Sequence, residues 1–203
     1  MTPGARERVR VQLNDTAWAF KPGHRVRVAI STTYWPMVWP SPEEVTLTVF
    51  EGSALTLPVR PERPGDEDLR IGADLESGQP ADYTVVEPAR LDREITTHAM
   101  TGETVISNFS GGGRFRLNWI DLETTSTATD VVGITEGDPL SCWAEAHRTS
   151  EQRRDGWHIR LEGRVRLTST KDDFLLTGSL EAYDNEQLVF ETTREATIPR
   201  DHV

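Results

Sequence analysis

The stretch Trp157-His-Ile-Arg-Leu-Glu-Gly-Arg-Val-Arg-Leu167 (WHIRLEGRVRL) alternates apolar and charged residues with a period of two. Every second side chain of a β-strand lies on the same face, so this pattern predicts a half-buried strand with one apolar and one charged face. A helix would need an apolar repeat near 3.6 residues, and no window of the chain has a convincing stripe of that kind. The stretch therefore predicts an all-β fold.

The same alternation recurs on both sides of this stretch, and short polar turns separate the runs. Sequential strands with short turns indicate an antiparallel meander, and strands of this length favour a curved sheet or an open barrel. We expect a partial jelly-roll sandwich followed by this curved meander. The alternating runs lie at 9–13, 26–30, 45–49, 55–59, 115–119, 140–146, 174–182 and 188–192.

A polar region that is interrupted by prolines divides the runs into two groups. Such composition is typical of a surface connection between domains. The sequence therefore predicts a partial jelly-roll β-sandwich at 1–60, a linker at 61–82, and an antiparallel β-meander domain at 83–203.

The charge and composition of the chain exclude several classes of protein. The net charge of −11 repels phosphate backbones, so we expect no nucleic-acid partner. No apolar stretch approaches the roughly 20 residues of a membrane span, so we expect no membrane partner. The single cysteine, Cys142, excludes an internal disulfide, and no signal-peptide pattern follows Met1. We predict a cytoplasmic protein in which Cys142 is a small buried apolar residue rather than a reactive thiol.

The sequence offers no catalytic or metal-binding motif. A nucleophile elbow, G-x-S-x-G, is absent, and the five histidines have neither zinc spacing nor an evident nucleophile and acid. Ser110-Gly-Gly-Gly113 precedes a strand rather than a helix, so it indicates a flexible hairpin turn and not a phosphate-binding loop. We therefore expect no catalytic residue, no cofactor and no metal in this chain.

An aromatic and proline-rich segment, Ser31-Thr-Thr-Tyr-Trp-Pro-Met-Val-Trp-Pro-Ser-Pro42, stands out from the alternating runs. A residue before proline favours extended backbone, so Trp35 and Trp39 are expected to be extended and to share one face with Met37. One interpretation is a plug at the rim of a sandwich. The other is an aromatic interface for another domain or a ligand. The predicted interface residues are Tyr34, Trp35, Pro36 and Trp39.

The run from Leu13 to Pro42 resembles the C-terminal jelly-roll domain of the X-prolyl dipeptidyl peptidase and cocaine esterase hydrolases. Its most specific part is the strand entry Pro22-Gly-His-Arg-Val-Arg-Val28, followed by the Ser31-x-x-Tyr-Trp-Pro36 pattern. Two later segments, Glu136-Gly-Asp-Pro-Leu-Ser141 and Ile198-Pro-Arg-Asp-His-Val203, are similar to the tail of a longer bacterial branch of that family.

The resemblance implies an accessory role. Members of that family are serine hydrolases that join an α/β-hydrolase domain with Ser, Asp and His, a helical cap and the jelly roll, whose first strands normally precede the point matching Met1. No position of this chain matches the triad, so we expect no hydrolase activity from the isolated chain.

The expected partner is an α/β-hydrolase domain or subunit that hydrolyses an ester or an Xaa-Pro peptide bond. One alternative is a free-standing module that binds a carbohydrate or peptide, and another is a degenerate remnant that persists as an interaction protein. A homo-oligomer is also compatible with the sequence.

Overall fold

The computed structural model describes residues 4–66 and 78–201. Eight antiparallel strands form one sheet between residues 83 and 199, and this sheet does not close into a barrel. The all-β prediction is confirmed, and the second half of the chain is an antiparallel meander as the alternation indicated. The strands are β1 Tyr83–Glu87, β2 Arg90–Thr97, β3 Glu103–Leu117, β4 Leu122–Thr135, β5 Asp138–Arg154, β6 Trp157–Ser169, β7 Asp173–Asp184 and β8 Gln187–Pro199.

The connections between the strands are short, and they contain residues that tolerate the backbone conformation of tight turns. The turns at 136–137, 155–156 and 185–186 have two residues each. Gly137, Gly156 and Asn185 have φ angles of 76°, 73° and 53°, in the left-handed region that glycine and asparagine tolerate best. The β6–β7 and β7–β8 connections, at 170–172 and 185–186, fall between the alternating runs where the sequence predicts short polar turns.

One edge of the sheet is a strand broken in two. β1 and β2 both pair with β3, one after the other along its length. The break lies opposite a β-bulge in β3 at Gly113, where an added Cβ would lie 2.5 Å from the carbonyl oxygen of Glu87. Only glycine permits this approach, with φ at 81°. The hairpin turn predicted at Ser110–Gly113 is therefore wrong, because these glycines lie inside β3 and allow the edge strand to pass.

The two faces of the sheet differ in chemistry. The β6–β7 register aligns the apolar side of the WHIRLEGRVRL stretch from Leu161 to Leu167 with apolar residues of β7. The charged residues of the stretch lie opposite mainly polar residues of β5 and β7. We call these the apolar face and the charged face. The apolar face over β5–β8 includes Ala144, Ala146, Leu161, Val165, Leu167, Leu176, Leu180 and Phe190. The charged face over β5–β7 includes Glu145, His147, Arg160, Glu162, Arg164, Arg166 and Glu181.

The sheet has little enclosed core in the part of the chain that the structure describes. Among the hydrophobic side chains of the described residues, only Cys142, on the apolar face of β5, is fully buried, at 1% exposure. Its predicted burial is confirmed. The sheet is a single layer, so both of its faces contact solvent. Its other apolar side chains are therefore shielded mainly by neighbours in the same sheet.

Residues 4–66 differ from the sheet. The four alternating runs predicted there as strands form no ladder among the described residues, and the one isolated bridge joins Tyr34 to Val38. Alternation favours extended backbone, but a strand also needs a neighbouring chain about 4.8 Å away to pair with. Two of the short turns expected between these runs do form. Lys21 O accepts a bond from His24 N–H at 3.1 Å, and Ser53 Oγ donates to Phe50 O at 2.9 Å.

Contacts divide the chain into two compact units, Met1–Ser31 and Thr32–Val203. The predicted division at 1–60, 61–82 and 83–203 stays a prediction. Within the predicted linker, Asp66 forms an ion pair with Arg60 at 2.6 Å. The rest of that linker up to residue 77 lies outside the described residues. In the described ranges, no helix has the length and apolar character needed to cross a bilayer.

Candidate docking surface

The aromatic and proline-rich segment makes a tight turn instead of an extended ridge. Tyr34 O accepts a hydrogen bond from Val38 N–H at 2.9 Å, and the two residues form an isolated β-bridge. The Trp35–Pro36 peptide bond is cis. The expectation that Trp35, Met37 and Trp39 share one extended face is therefore wrong, because the chain reverses between Tyr34 and Val38.

Trp39 connects this turn to the sheet. Its indole Nε1–H donates to Ser169 Oγ at the end of β6, at 3.0 Å. Its ring packs edge-to-face against Phe174 of β7, with 5.6 Å between the centroids, and against Trp35, with 5.0 Å. Edge-to-face pairs at this separation add stabilisation beyond the area that they bury. Both tryptophans are half-buried, so they form one packed cluster with the end of the sheet.

Arg200, which directly follows β8, contacts the same cluster and links it to the β6–β7 loop. It is 8% exposed, and its guanidinium donates to Ser169 Oγ at 3.2 Å, to Thr170 O at 3.0 Å and to Pro40 O at 2.5 Å. The guanidinium carbon also lies 4.9 Å from the centroid of the Phe174 ring. A buried guanidinium is tolerated when several acceptors and an aromatic face replace its hydration, and these contacts supply both.

Two further features belong to this end of the sheet. Lys171 Nζ lies 2.7 Å from Glu43 Oε1, so an exposed ion pair joins the β6–β7 loop to the chain after Pro42, and it lowers the pKa of Glu43.

Burial raises the pKa of the Cys142 thiol, and a contact with Ser169 and the charge of Arg200 oppose that rise in part. The thiol is therefore held in its protonated, unreactive form, as expected for a structural cysteine.

The outward side of the turn is exposed and apolar. Tyr34, Met37 and Val38 are 68%, 73% and 51% exposed, and Pro36 is also exposed. The structure thus separates the four predicted interface residues: Trp35 and Trp39 come together on the sheet, while Tyr34 and Pro36 point away from it. We call the exposed group Tyr34, Pro36, Met37 and Val38 the turn surface.

Sequence reasoning missed the residues that support this surface. Ser169, Phe174 and Arg200 are 130 or more positions away from Trp39 and Pro40 along the chain. No local pattern marks them, because a serine at a strand end and an arginine near a terminus are ordinary in any sequence. Only the register of β6, β7 and β8 brings them to one place.

One hydroxyl lies close to an imidazole, at the turn between β2 and β3. Thr101 Oγ1 lies 3.0 Å from His98 Nδ1, but this pair caps the exposed β2–β3 turn, where Thr101 N–H also points to the ring. A hydroxyl in that position stabilises a turn rather than acting as a positioned nucleophile. Across 4–66 and 78–201, no group of three or more His, Cys, Asp or Glu is placed to hold a metal ion.

An open groove of about 340 Å³ lies at the opposite end of the sheet, between the β3–β4, β5–β6 and β7–β8 turns. Glu123, which is 8% exposed, accepts bonds there from Arg116 at 2.7 Å and from Arg153 at 2.8 Å. These two guanidinium groups hold the pKa of Glu123 below its ordinary value. The groove lining includes no serine, threonine or cysteine, so it offers no hydroxyl or thiol nucleophile.

Comparison with known families gives one match. Residues 1–82 match the family model of the X-Pro dipeptidyl-peptidase C-terminal non-catalytic domain, so the match includes the turn surface and ends just before β1. Among curated proteins and among solved structures, no match to the chain was found.

Proposed function

We propose that this chain, whose residues 1–82 match the X-Pro dipeptidyl-peptidase C-terminal non-catalytic domain, is a β accessory region of a serine hydrolase of that type. A non-catalytic domain of this family is associated with a catalytic domain. In this proposal an α/β-hydrolase unit performs the hydrolysis of an ester or an Xaa-Pro peptide bond. The present chain supplies a docking surface and no catalytic group.

The observation that carries the proposal is the turn surface. It presents an exposed tyrosine, methionine, valine and proline within the matched segment, while Trp39 and Arg200 fix its base on the sheet. Aromatic residues and methionine are enriched at the centres of protein interfaces. A surface that is already ordered by its own contacts loses little conformational entropy when a partner binds. This combination favours protein docking over simple closure of a sandwich rim.

The partner supplies the chemistry that this chain lacks. Ester and peptide hydrolysis by a serine hydrolase requires a nucleophile, a general base within hydrogen-bond reach and an oxyanion hole. Neither the sequence motifs nor the His98 and Thr101 pair provide such a set. The purified chain alone is therefore expected to leave a generic activated ester intact. Turnover that disappears on changing one serine of this chain would contradict that expectation.

A binding measurement tests the docking itself. The purified chain is titrated calorimetrically with the separately purified α/β-hydrolase domain of an X-Pro dipeptidyl peptidase. We expect binding, and we expect the double variant Tyr34→Ala, Met37→Ala to weaken it by about tenfold or more, as truncation of central interface residues does. Thr177→Ala, on the charged face of β7, serves as the matched control. Absence of binding, or equal affinity of both variants, would refute the proposal.

The second candidate function is a free-standing module for a carbohydrate or peptide. Its support is the exposed ring of Tyr34. Against it, Trp35 and Trp39 are half-buried and lie at 90° to each other, so they do not form the flat exposed platform on which a sugar ring stacks. Glycan or peptide binding that is lost in Trp35→Ala would favour this candidate over the first.

A further inference from the structure

The apolar face of β5–β8 is the largest feature that the proposed function leaves unused. Leu161, Val165, Leu180, Phe190 and Ile198 all lie on it and are 41%, 45%, 41%, 51% and 45% exposed. A sheet with one apolar face normally buries that face against a second layer. Over the described residues, the cluster around Trp39 covers this face only at the end where Phe174 and Cys142 lie.

The surface shape of this face is self-complementary. Gly163 of β6 lies opposite Leu180 of β7, and Val165 of β6 lies opposite Gly178 of β7. Large side chains and glycine gaps therefore alternate in both directions at its centre. A Cβ placed at Gly163 would meet nothing closer than 4.0 Å, so the gap is real space. In an interface related by a two-fold axis, the same patch must offer both the projection and the recess that receives it.

Polar side chains flank the β6–β7 centre on the two strands beside it, Arg148 and Ser150 on β5 and Thr192 and Arg194 on β8. Arg148, opposite Gly163, turns toward β4 and pairs with Asp130 at 2.6 Å. Arg194 lies on the outer strand β8, opposite Gly178. An apolar centre with a polar and arginine-containing rim is the usual composition of a protein interface.

The size of the face also fits a stable pair. Strands lie about 4.8 Å apart and rise about 3.3 Å per residue, so the part of β5–β8 that is level with β6 covers on the order of 800 Å². Stable protein interfaces bury about 800 Å² on each partner. Two such sheets pack face to face at about 10 Å, which is the geometry of a β-sandwich.

We propose that a second copy of this chain covers the apolar face of β5–β8, and that the two sheets form a symmetric sandwich centred on Gly163, Val165, Gly178 and Leu180. This inference does not depend on a hydrolase partner, because the chain alone contains both halves of the interface. It assigns self-association to the sheet and leaves the turn surface available for docking.

Sedimentation velocity of the purified full chain over a concentration series tests the inference. We expect a reversible monomer–dimer equilibrium. The variant Leu180→Lys is expected to weaken the dimer by about a hundredfold or more, because it buries a charge at the centre of the interface. Thr193→Lys is the matched control, on the charged face of the adjacent strand β8, and it is expected to leave the equilibrium unchanged.

A second variant keeps the test valid if Leu180→Lys fails to fold. Gly163→Ala adds one methyl group where the monomer has room, so its far-ultraviolet circular dichroism is expected to match that of the wild type, and so is its thermal midpoint at concentrations where both are monomeric. The dimer is expected to weaken by about tenfold, because the recess is filled. A monomer at every concentration, or a dimer that Leu180→Lys and Gly163→Ala leave intact, would overturn the inference. Hydrolase binding is measured separately, so the failure of one proposal does not imply the failure of the other.

Discussion

Residues 4–66 and the sheet at 83–199 have similar sequence patterns and different structures. The run at 26–30 alternates as regularly as Trp157–Leu167, yet Val28 and Ile30 remain 57% and 62% exposed without a ladder, whereas β6 is paired on both sides. The difference shows that alternation specifies which side chains share a face but does not supply a hydrogen-bonded neighbour. In β3–β8 each strand finds that neighbour through a short turn. In 4–66 the described chain has turns without ladders.

Hydrogen exchange should give the largest contrast between these regions. Amides of β4, β5 and β6 bond to neighbouring strands, and we expect them to exchange at least about a thousandfold more slowly than amides in the runs at 9–13, 26–30 and 45–49, because exchange requires opening of the ladder. Mass spectrometry of peptides from both regions measures this. Equal protection in the two regions would show that residues 4–66 pair in solution, and the comparison would then fail.

The next largest effect is expected at Arg200, where the segment after Ser31 meets the sheet. Arg200→Ala leaves Ser169 Oγ, Thr170 O and Pro40 O without this donor, and we expect the free energy of unfolding to fall by about 2–4 kcal/mol. Chemical denaturation of the purified variant checks this value. Arg90→Ala is the control, since Arg90 is exposed and its pair with Asp92 should contribute less than about 1 kcal/mol. Similar losses in both variants would mean that the buried contacts of Arg200 stabilise the fold no more than an exposed ion pair does.

Trp39 and Trp18 provide a smaller and more direct test of the same contrast. Trp39→Phe keeps most of the ring packing but removes the bond to Ser169, so we expect a loss of about 1 kcal/mol. Trp18 lies in the unit before Thr32 and is 76% exposed, so Trp18→Phe should leave stability unchanged. Thermal unfolding of both variants decides the point. A loss at Trp18 that equals the loss at Trp39 would indicate packing in 4–31 that the structure does not show.

The smallest expected effect is the acid sensitivity of the sheet. The bonds from Arg116 and Arg153 lower the pKa of Glu123 in the folded state, so its contribution to stability is present above the ordinary pKa of a glutamate and is lost as the pH falls through the lowered value. Glu123→Gln should therefore be less stable than the wild type at neutral pH, and the gap should close in acid. Denaturation midpoints across a pH series measure it, with Asp92→Asn as the exposed control. A gap that stays constant with pH would exclude this charge effect.

Half of the strands could be predicted from local pattern, whereas no predicted run marks β4. β5, β6, β7 and β8 coincide with alternating runs, and their connections fall near the predicted polar turns. The edge formed by β1, β2 and the bulge of β3 could not be predicted, because its geometry depends on the approach of Glu87 to Gly113 across 26 positions of sequence. Pattern describes one strand at a time, whereas a bulge is a property of a pair of strands.

The candidate site was predictable only in part. The unusual composition of 31–42 drew attention to Tyr34, Trp35, Pro36 and Trp39, and the resemblance to the X-prolyl dipeptidyl peptidase family agrees with the family match over residues 1–82. Which of these side chains are exposed depends on two hydrogen bonds. One runs from Val38 N–H to Tyr34 O, and the other from the Trp39 indole to Ser169 Oγ.

The sequence by itself determined the all-β class, the chemistry of the two sheet faces and the family that residues 1–82 resemble, because periodicity and motif are properties of neighbouring residues. The tertiary structure alone decided that one end of the sheet is closed by Trp39, Pro40 and Arg200 while the rest of the apolar face stays open. The physical reason is distance along the chain. Contacts between residues 130 to 160 positions apart depend on the register of every strand between them, and no local pattern contains that register.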